Sequence, residues 1–313
     1  MRNPDVSFAI ACYNCRPFLA QTVASALAQH DVTVELLLVD DGSSDGTQAL
    51  METLAQGDER IRTFSTPSNG GPGAARNIAM AAMHGHWYAV LDSDDLIAPS
   101  RSRDLIAAAD HHRADMIADD LLLFGEGLAE HRFLQNDWRM PGWIELDRYF
   151  EASALFGTAP NPGFLKPMIR RTLLDRTAIA YDERLRIAED DDLVVRLLMT
   201  GARYWLEPRP LYQYRKHGLS ISHRLSSDHI DRMALAGHEL DARVHAAGRA
   251  STAYNRRRRA LANAVAFTHA IDALKARQPL SAARAILRRP TSLPLFRMPL
   301  GAAMRRLTGR TMG

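Results

Sequence analysis

Short apolar runs alternate with helix-patterned segments through the first third of the chain, and this constrains the fold more than anything else. Val6-Ser-Phe-Ala-Ile-Ala11 reads as a buried strand, and Pro17 to Gln29 reads as a helix with Leu19, Val23, Ala26 and Leu27 on one face. Val34 to Asp40 is a second strand. Leu50, Met51 and Leu54 mark a second helix, capped by Asp45 or Thr47, and Ile61 to Ser65 is a third strand. A glycine-rich loop from Asn69 to Asn77 opens a helix through Ile78, Ala79 and Met83, and Trp87 to Leu91 is a fourth strand. Repetition of this kind predicts an α/β fold with a mainly parallel sheet and helices on both faces.

Open sheets of this type bind ligands in the crevice at the carboxyl ends of their strands. At that end of the fourth strand stand Asp92, Asp94 and Asp95. Their mutual repulsion is costly unless a cation or a ring of donors offsets it. Asp92-x-Asp94 is therefore placed where a hard metal ion carrying a phosphate would bind, although a solvated acidic turn capping a helix has the same residues. A second acidic cluster, Glu189 to Asp192, opens an apolar helix, where carboxylates suit the helix N-terminus for electrostatic reasons alone. The glycine-rich loop lacks both the dinucleotide fingerprint and the Walker pattern, yet Arg76 near its helix start could face an anion.

The 313 residues fit one large domain or one domain with an extension. Apolar runs such as Leu36 to Val39 are far too short to span a bilayer, and no secretory signal is expected at the N-terminus. Two cysteines, Cys12 and Cys15, argue against a disulfide framework and suit the cytoplasm; with no second pair, their spacing carries no zinc assignment. The net charge of +3 hides an asymmetry, because fourteen arginines and Lys275 follow residue 240 against only Asp241 and Asp272. Such a basic extension points to an anionic surface as its partner.

A helix over 101–112 and a strand over 115–119 follow the acidic turn. Residues 125–163 are irregular, and for their aromatics Trp138, Trp143, Tyr149, Phe150 and Phe156 packing over the sheet is a simpler role than stacking on a sugar. Phe164 to Arg170 resumes strand-like order. In the tail, Leu261, Ala264, Phe267, Ile271 and Leu274 repeat at helical spacing behind Arg256 to Arg259. Leu280, Ile286 and Leu287 lie beside Arg284, Arg288 and Arg289, and Leu300, Met304 and Leu307 beside Arg305 and Arg306. Basic amphipathic helices of this kind lie on anionic lipid or pack on a catalytic domain with the basic face exposed. No nucleic-acid recognition motif accompanies them.

Five motifs in order carry a family resemblance: Ala11-Cys-Tyr13-Asn14, Val39-Asp40-Asp41-Gly-Ser-Ser-Asp-Gly-Thr47, Gly73-Ala-Ala-Arg76-Asn77, Leu91-Asp92-Ser-Asp94-Asp95 and Glu189-Asp190. Together, over residues 6–222, they resemble the family-2 inverting glycosyltransferases of GT-A fold. Phe164-Leu-Lys166-Pro and the tail layout are similar to bacterial exopolysaccharide transferases of the succinoglycan type. Cys12 departs from the pattern, since many members have Pro or a small residue there.

The resemblance implies that Ala11, Tyr13 and Asp41 line a nucleobase pocket with Asp40 nearby, and that Arg76 and Asp92 serve the donor, Asp92 at the ribose or the metal shell. It implies that Asp94 ligates Mg²⁺ or Mn²⁺ at the donor diphosphate, with His217 reaching the same group, and that Asp190 is the general base with Glu189 as the alternative. Such chemistry needs a carboxylate to take the acceptor hydroxyl proton and a metal to neutralise the leaving nucleoside diphosphate. The expected organisation is a catalytic domain over 1–222 and a basic helical extension over 223–313. The expected activity is transfer of one sugar from a UDP-sugar to a growing, lipid-linked oligosaccharide in surface polysaccharide synthesis, in the cytoplasm at the inner face of the membrane. One alternative is a sugar-nucleotide nucleotidyltransferase, but residues 11–17 lack its basic glycine-rich loop. Another is an inactive nucleotide- or lipid-binding scaffold, against which Asp92, Asp94 and Asp190 weigh.

Overall fold

The computed structural model describes residues 3–157, 160–218 and 226–297. They fall into two compact units, one of residues 3–149 and 160–218, the other of 150–157 and 226–297. The first unit opens with β1 (Val6–Cys12), α1 (Arg16–Leu27), β2 (Val34–Asp40), α2 (Thr47–Gly57), β3 (Ile61–Ser65), α3 (Pro72–Ala82) and β4 (Trp87–Val90). These strands pair in parallel in the order β3-β2-β1-β4. β2 is buried along its whole length, as a parallel strand covered on both faces must be. Asp45 serves the start of α2, accepting from Thr47 N–H at 2.9 Å, while Gly46 itself takes the left-handed conformation.

The chain continues through β5 (Leu96–Ile97), α4 (Arg101–His112), β6 (Met116–Gly125), β7 (Leu128–Arg132), β8 (Gly142–Trp143), α5 (Leu146–Ala152), β9 (Met168–Arg170), α6 (Arg171–Thr177), α7 (Glu189–Met199) and β10 (Tyr204–Lys216). The sheet extends as β4-β9-β6-β10-β5, and β9 runs antiparallel to both β4 and β6. β6 is longer than the expected strand over 115–119 and pairs in parallel with β10. Periodicity marks no strand over β10 because Pro208 and Pro210 interrupt it. The β6–β10 register shifts between Glu207 and Tyr212, where those prolines offer no N–H to the ladder. Among the aromatics of the irregular segment, Trp138, Tyr149 and Phe150 are buried and Phe156 is exposed.

The second unit holds α8 (Ser227–Ala246), α9 (Thr252–Lys275) and α10 (Pro279–Arg288), with α9 packed on both of its neighbours. Ser226 and Ser251 cap α8 and α9 by accepting from the N–H groups of His229 and Tyr254. Phe267 meets Phe156 and Phe296 edge-on, and Tyr254 bonds Asp241 at 3.0 Å. None of the described helices is long and apolar enough to cross a membrane. The expected helix around Leu300, Met304, Leu307, Arg305 and Arg306 lies outside the described residues.

Candidate active site

Four elements deliver the central cluster. Gly70 and Gly71 open α3 and donate their N–H groups to Asp41, Gly70 at 2.7 Å to Oδ1 and Gly71 at 2.7 Å to Oδ2. Gly71 has φ +88°, which favours glycine, and a Cβ there would stand 2.6 Å from Cδ of Arg186, whose side chain would have to move aside. One turn into α3, Arg76 is buried and turned toward the end of β4. Nη2 of Arg76 donates to Asp92 Oδ1 at 2.6 Å, and Nη1 to Glu189 Oε1 at 2.6 Å and Asp190 Oδ1 at 2.9 Å. Ala188, left-handed at φ +67°, turns the chain into α7 so that Glu189 and Asp190 face this guanidinium. Lys166, two residues ahead of β9, completes the cluster with Nζ at 2.8 Å from Asp92 Oδ2 and 3.0 Å from Asp190 Oδ2.

Two cations thus face three carboxylates. Burial pushes Asp92 toward its neutral form, but Lys166 and Arg76 outweigh it and hold the carboxyl down to about 2. Glu189 goes the other way: burial, then the charge of Asp190, push it up to about 7. A proton on Glu189 leaves the cluster neutral. Burial opposes the charge of Arg76, yet the three acids around it hold that charge firmly.

The rest of the acidic turn is gripped by β10. Tyr212 receives the N–H of Asp92 at 3.1 Å and donates its hydroxyl to Asp95 Oδ2 at 2.9 Å. Arg215 donates its backbone N–H to Asp95 Oδ1 at 2.7 Å and its Nε to the Asp94 carbonyl at 2.7 Å, with its guanidinium between the Phe18 and Phe124 rings. His217 Nε2 stands 2.8 Å from Asp94 Oδ2, its ring against Phe18. Burial, then the neighbouring Asp92 charge, raise the Asp94 carboxyl above its usual range against the opposing effect of His217.

Of the residues singled out from sequence, Arg76, Asp92 and Asp190 meet in one cluster, and Asp94 and His217 meet two residues further along the turn. Ala11, Tyr13, Asp40 and Asp41 stand at the ends of β1 and β2. Tyr13 is 45% exposed. Asp41 is committed to the glycine loop and to Thr66 Oγ1, whereas Asp40 accepts from Ser43 N–H and keeps a buried Oδ1 with no hydrogen-bond partner. Asn14 ties the two loops by accepting from Ser44 N–H at 2.8 Å. Cys12 and Cys15 are buried free thiols. Sequence reasoning gave no role to Lys166, Tyr212 or Arg215. For Lys166 a signal existed, a single cation in the apolar run Phe164 to Ile169.

A strand-end acidic turn, a glycine-led helix start and an acidic helix start are thus gathered at the carboxyl end of the central strand β4. The chain belongs to glycosyl transferase family 2, whose model matches residues 7–173. It is 36% identical over 308 residues to the succinoglycan biosynthesis protein ExoO of Rhizobium meliloti (strain 1021), covering 98% of this chain and 88% of that protein. It is 34% identical over 255 residues to ExoU of the same organism, covering 78% of this chain and 73% of that one. Its fold is that of GT-A glycosyltransferases. S. aureus TarS residues 1–349 in complex with UDP superpose with a TM-score of 0.60 at 18% identity, covering 91% of this chain and 92% of that one. The mannosyltransferase PcManGT of Pyrobaculum calidifontis, in complex with GDP-Man and Mn²⁺, gives a TM-score of 0.55 at 16% identity, covering 97% and 81%.

Proposed function

We propose that the chain moves one sugar from a UDP-sugar to a hydroxyl of a growing polysaccharide precursor, with inversion at the anomeric carbon. The observation that carries this reading is the joining of Asp92, at the strand end, to Asp190, at the helix start, through shared cations. One carboxylate serves the donor and the other the acceptor. In this reading Asp190 takes the proton of the attacking hydroxyl; each of its oxygens already accepts from one cation but keeps a second lone pair. Asp40 and Asp41, with Ala11 and Tyr13, hold the nucleobase. The partnerless buried oxygen of Asp40 favours this, since a nucleobase N–H would relieve the cost of leaving it unbonded. ExoO and ExoU, named for succinoglycan biosynthesis, support the product class, and UDP and UDP-GlcNAc in TarS complexes support the donor class.

The residues of the acidic turn fit a divalent metal. A carboxylate and an imidazole meet at 2.8 Å, and the carboxylate bears a cost of burial and of a neighbouring negative charge that a cation would remove. Asp94 and His217 would hold Mg²⁺ or Mn²⁺, which would offset charge on the leaving nucleoside diphosphate. Among the described residues no three His, Cys, Asp or Glu side chains converge as a metal site, so donor phosphates and water would complete the shell.

Glu189 is the second candidate base, favoured by a carboxyl raised to about 7, near a working pH. The acceptor is read as lipid-linked and the docking surface as anionic membrane. On α10, Leu280 and Leu287 are 85% and 76% exposed, seven residues apart and so on one side, with exposed Arg284 and Arg288 beside them. A thermal-shift screen of nucleotide-sugars, with and without Mn²⁺, tests the donor assignment. UDP-sugars should stabilise the protein and Mn²⁺ should enlarge the shift; stabilisation by GDP-sugars alone would overturn it.

A further inference from the structure

We propose that Lys166 is a positioning residue of the transfer step, one buried ammonium that fixes Asp190 relative to Asp92. The inference rests on Asp190 being the base. Arg76 touches Oδ1 of both carboxylates, at 2.6 Å on Asp92 and 2.9 Å on Asp190, whereas Lys166 touches Oδ2 of both, at 2.8 and 3.0 Å. A carboxylate held by one oxygen can still swing about that contact; held by both, it cannot. Arg76 alone cannot supply the second grip, because the Nη1 that reaches Asp190 is shared with Glu189 and its Nη2 is on Asp92.

Lys166 is itself rigidly mounted. Its carbonyl accepts from Arg101 Nη2 at 2.7 Å, and Arg101 is locked by a two-point pair with buried Asp119. Two residues on, Met168 pairs with Ala89 of β4, the strand that leads to Asp92. The ammonium, just ahead of β9, and the donor-side carboxylate, just past β4, are therefore anchored by neighbouring strands of one sheet, while Asp190 arrives on a separate helix. Without Lys166, each carboxylate would keep only its single-oxygen contact with Arg76, and the separation of base and donor would depend on how α7 settles about that contact. Reactions between bound partners are sensitive to misplacements on the scale of an ångström.

Steady-state transfer kinetics of Lys166→Met, Lys166→Arg, Asp190→Asn and the Lys166→Met/Asp190→Asn double variant test the proposal. Lys166→Met should lower kcat about 10²-fold while donor KM changes little. On the Asp190→Asn background, Lys166→Met should lose most of its effect, because it acts mainly through Asp190 and only the contact with Asp92 remains; a purely structural role would add its full loss in both backgrounds. Lys166→Arg keeps the charge without the same reach and should fall between wild type and Lys166→Met. A wild-type kcat for Lys166→Met overturns the proposal, as does an additive double variant. Should Lys166→Met fail to fold, Lys166→Arg decides: a wild-type kcat there would mean that charge alone matters and positioning does not. An Asp190→Asn enzyme with normal transfer would overturn the base assignment and this inference together. An inactive Asp190→Asn beside a fully active Lys166→Met would overturn the positioning role alone.

Discussion

Arg101 and Asp119 meet as a two-point ion pair, Nε to Oδ2 at 2.8 Å and Nη2 to Oδ1 at 2.7 Å, with neither side chain exposed to solvent. Burial raises the Asp119 carboxyl, and the guanidinium opposes that rise. Arg101→Met would leave the carboxylate buried without its partner and should cost about 3–5 kcal/mol in urea unfolding. Replacing both partners with apolar residues, as in Arg101→Met/Asp119→Leu, should recover much of that loss. A single variant as stable as wild type would show that the carboxyl takes up a proton at no cost.

The acidic turn predicts a metal response. Asp94→Ala and His217→Ala should each weaken Mn²⁺-dependent nucleotide binding, read by calorimetry with and without the ion, and leave metal-independent binding in place. Equal Mn²⁺ enhancement in both variants and the wild type would remove these residues from the metal site.

Glu189 predicts a pH dependence of stability. Its carboxyl, raised to about 7 in the folded chain, binds a proton that the unfolded chain has released above the ordinary carboxylate range near 4.5. The folded form therefore holds the extra proton between those values. The stability it confers is complete below that range and is lost as pH rises through about 7. Glu189→Gln should flatten the fall in melting temperature over this window. Parallel melting curves for both proteins would contradict the shift.

The outward face of α10 predicts lipid binding. Leu280→Ser/Leu287→Ser should reduce sedimentation with anionic vesicles, and added salt should weaken wild-type binding by screening Arg284 and Arg288. Equal binding to neutral and anionic vesicles would remove the electrostatic part of the reading.

Much of the first half of the sheet was legible in the sequence. β2 and β3 run over the predicted residues, and α4 spans the predicted 101–112, because apolar periodicity is strong where both faces of an element are covered. The acidic helix start at Glu189 was equally plain. β10 was hidden by Pro208 and Pro210, and with it the grip of Tyr212 and Arg215 on the acidic turn. Lys166 was hidden for a different reason. A periodic pattern reports which face is buried, and nothing local tells a buried ammonium which distant carboxylates it will meet. Its partners are 74 residues before it and 24 after it along the chain, joined only when β9 enters between β4 and β6.

That insertion of β9, followed by β10, has a consequence for a chain made from its N-terminus. Parallel and long-range pairings must wait for both strands to exist, and they form late and slowly. When Asp92, Asp94 and Asp95 leave the ribosome, Lys166, Tyr212 and His217 have not been translated. The emerging polypeptide carries the repelling carboxylates of its acidic turn without any of these partners, and the turn acquires its grip only after residue 217 has been added. The acidic turn is therefore completed late in synthesis, once β10 has been laid down.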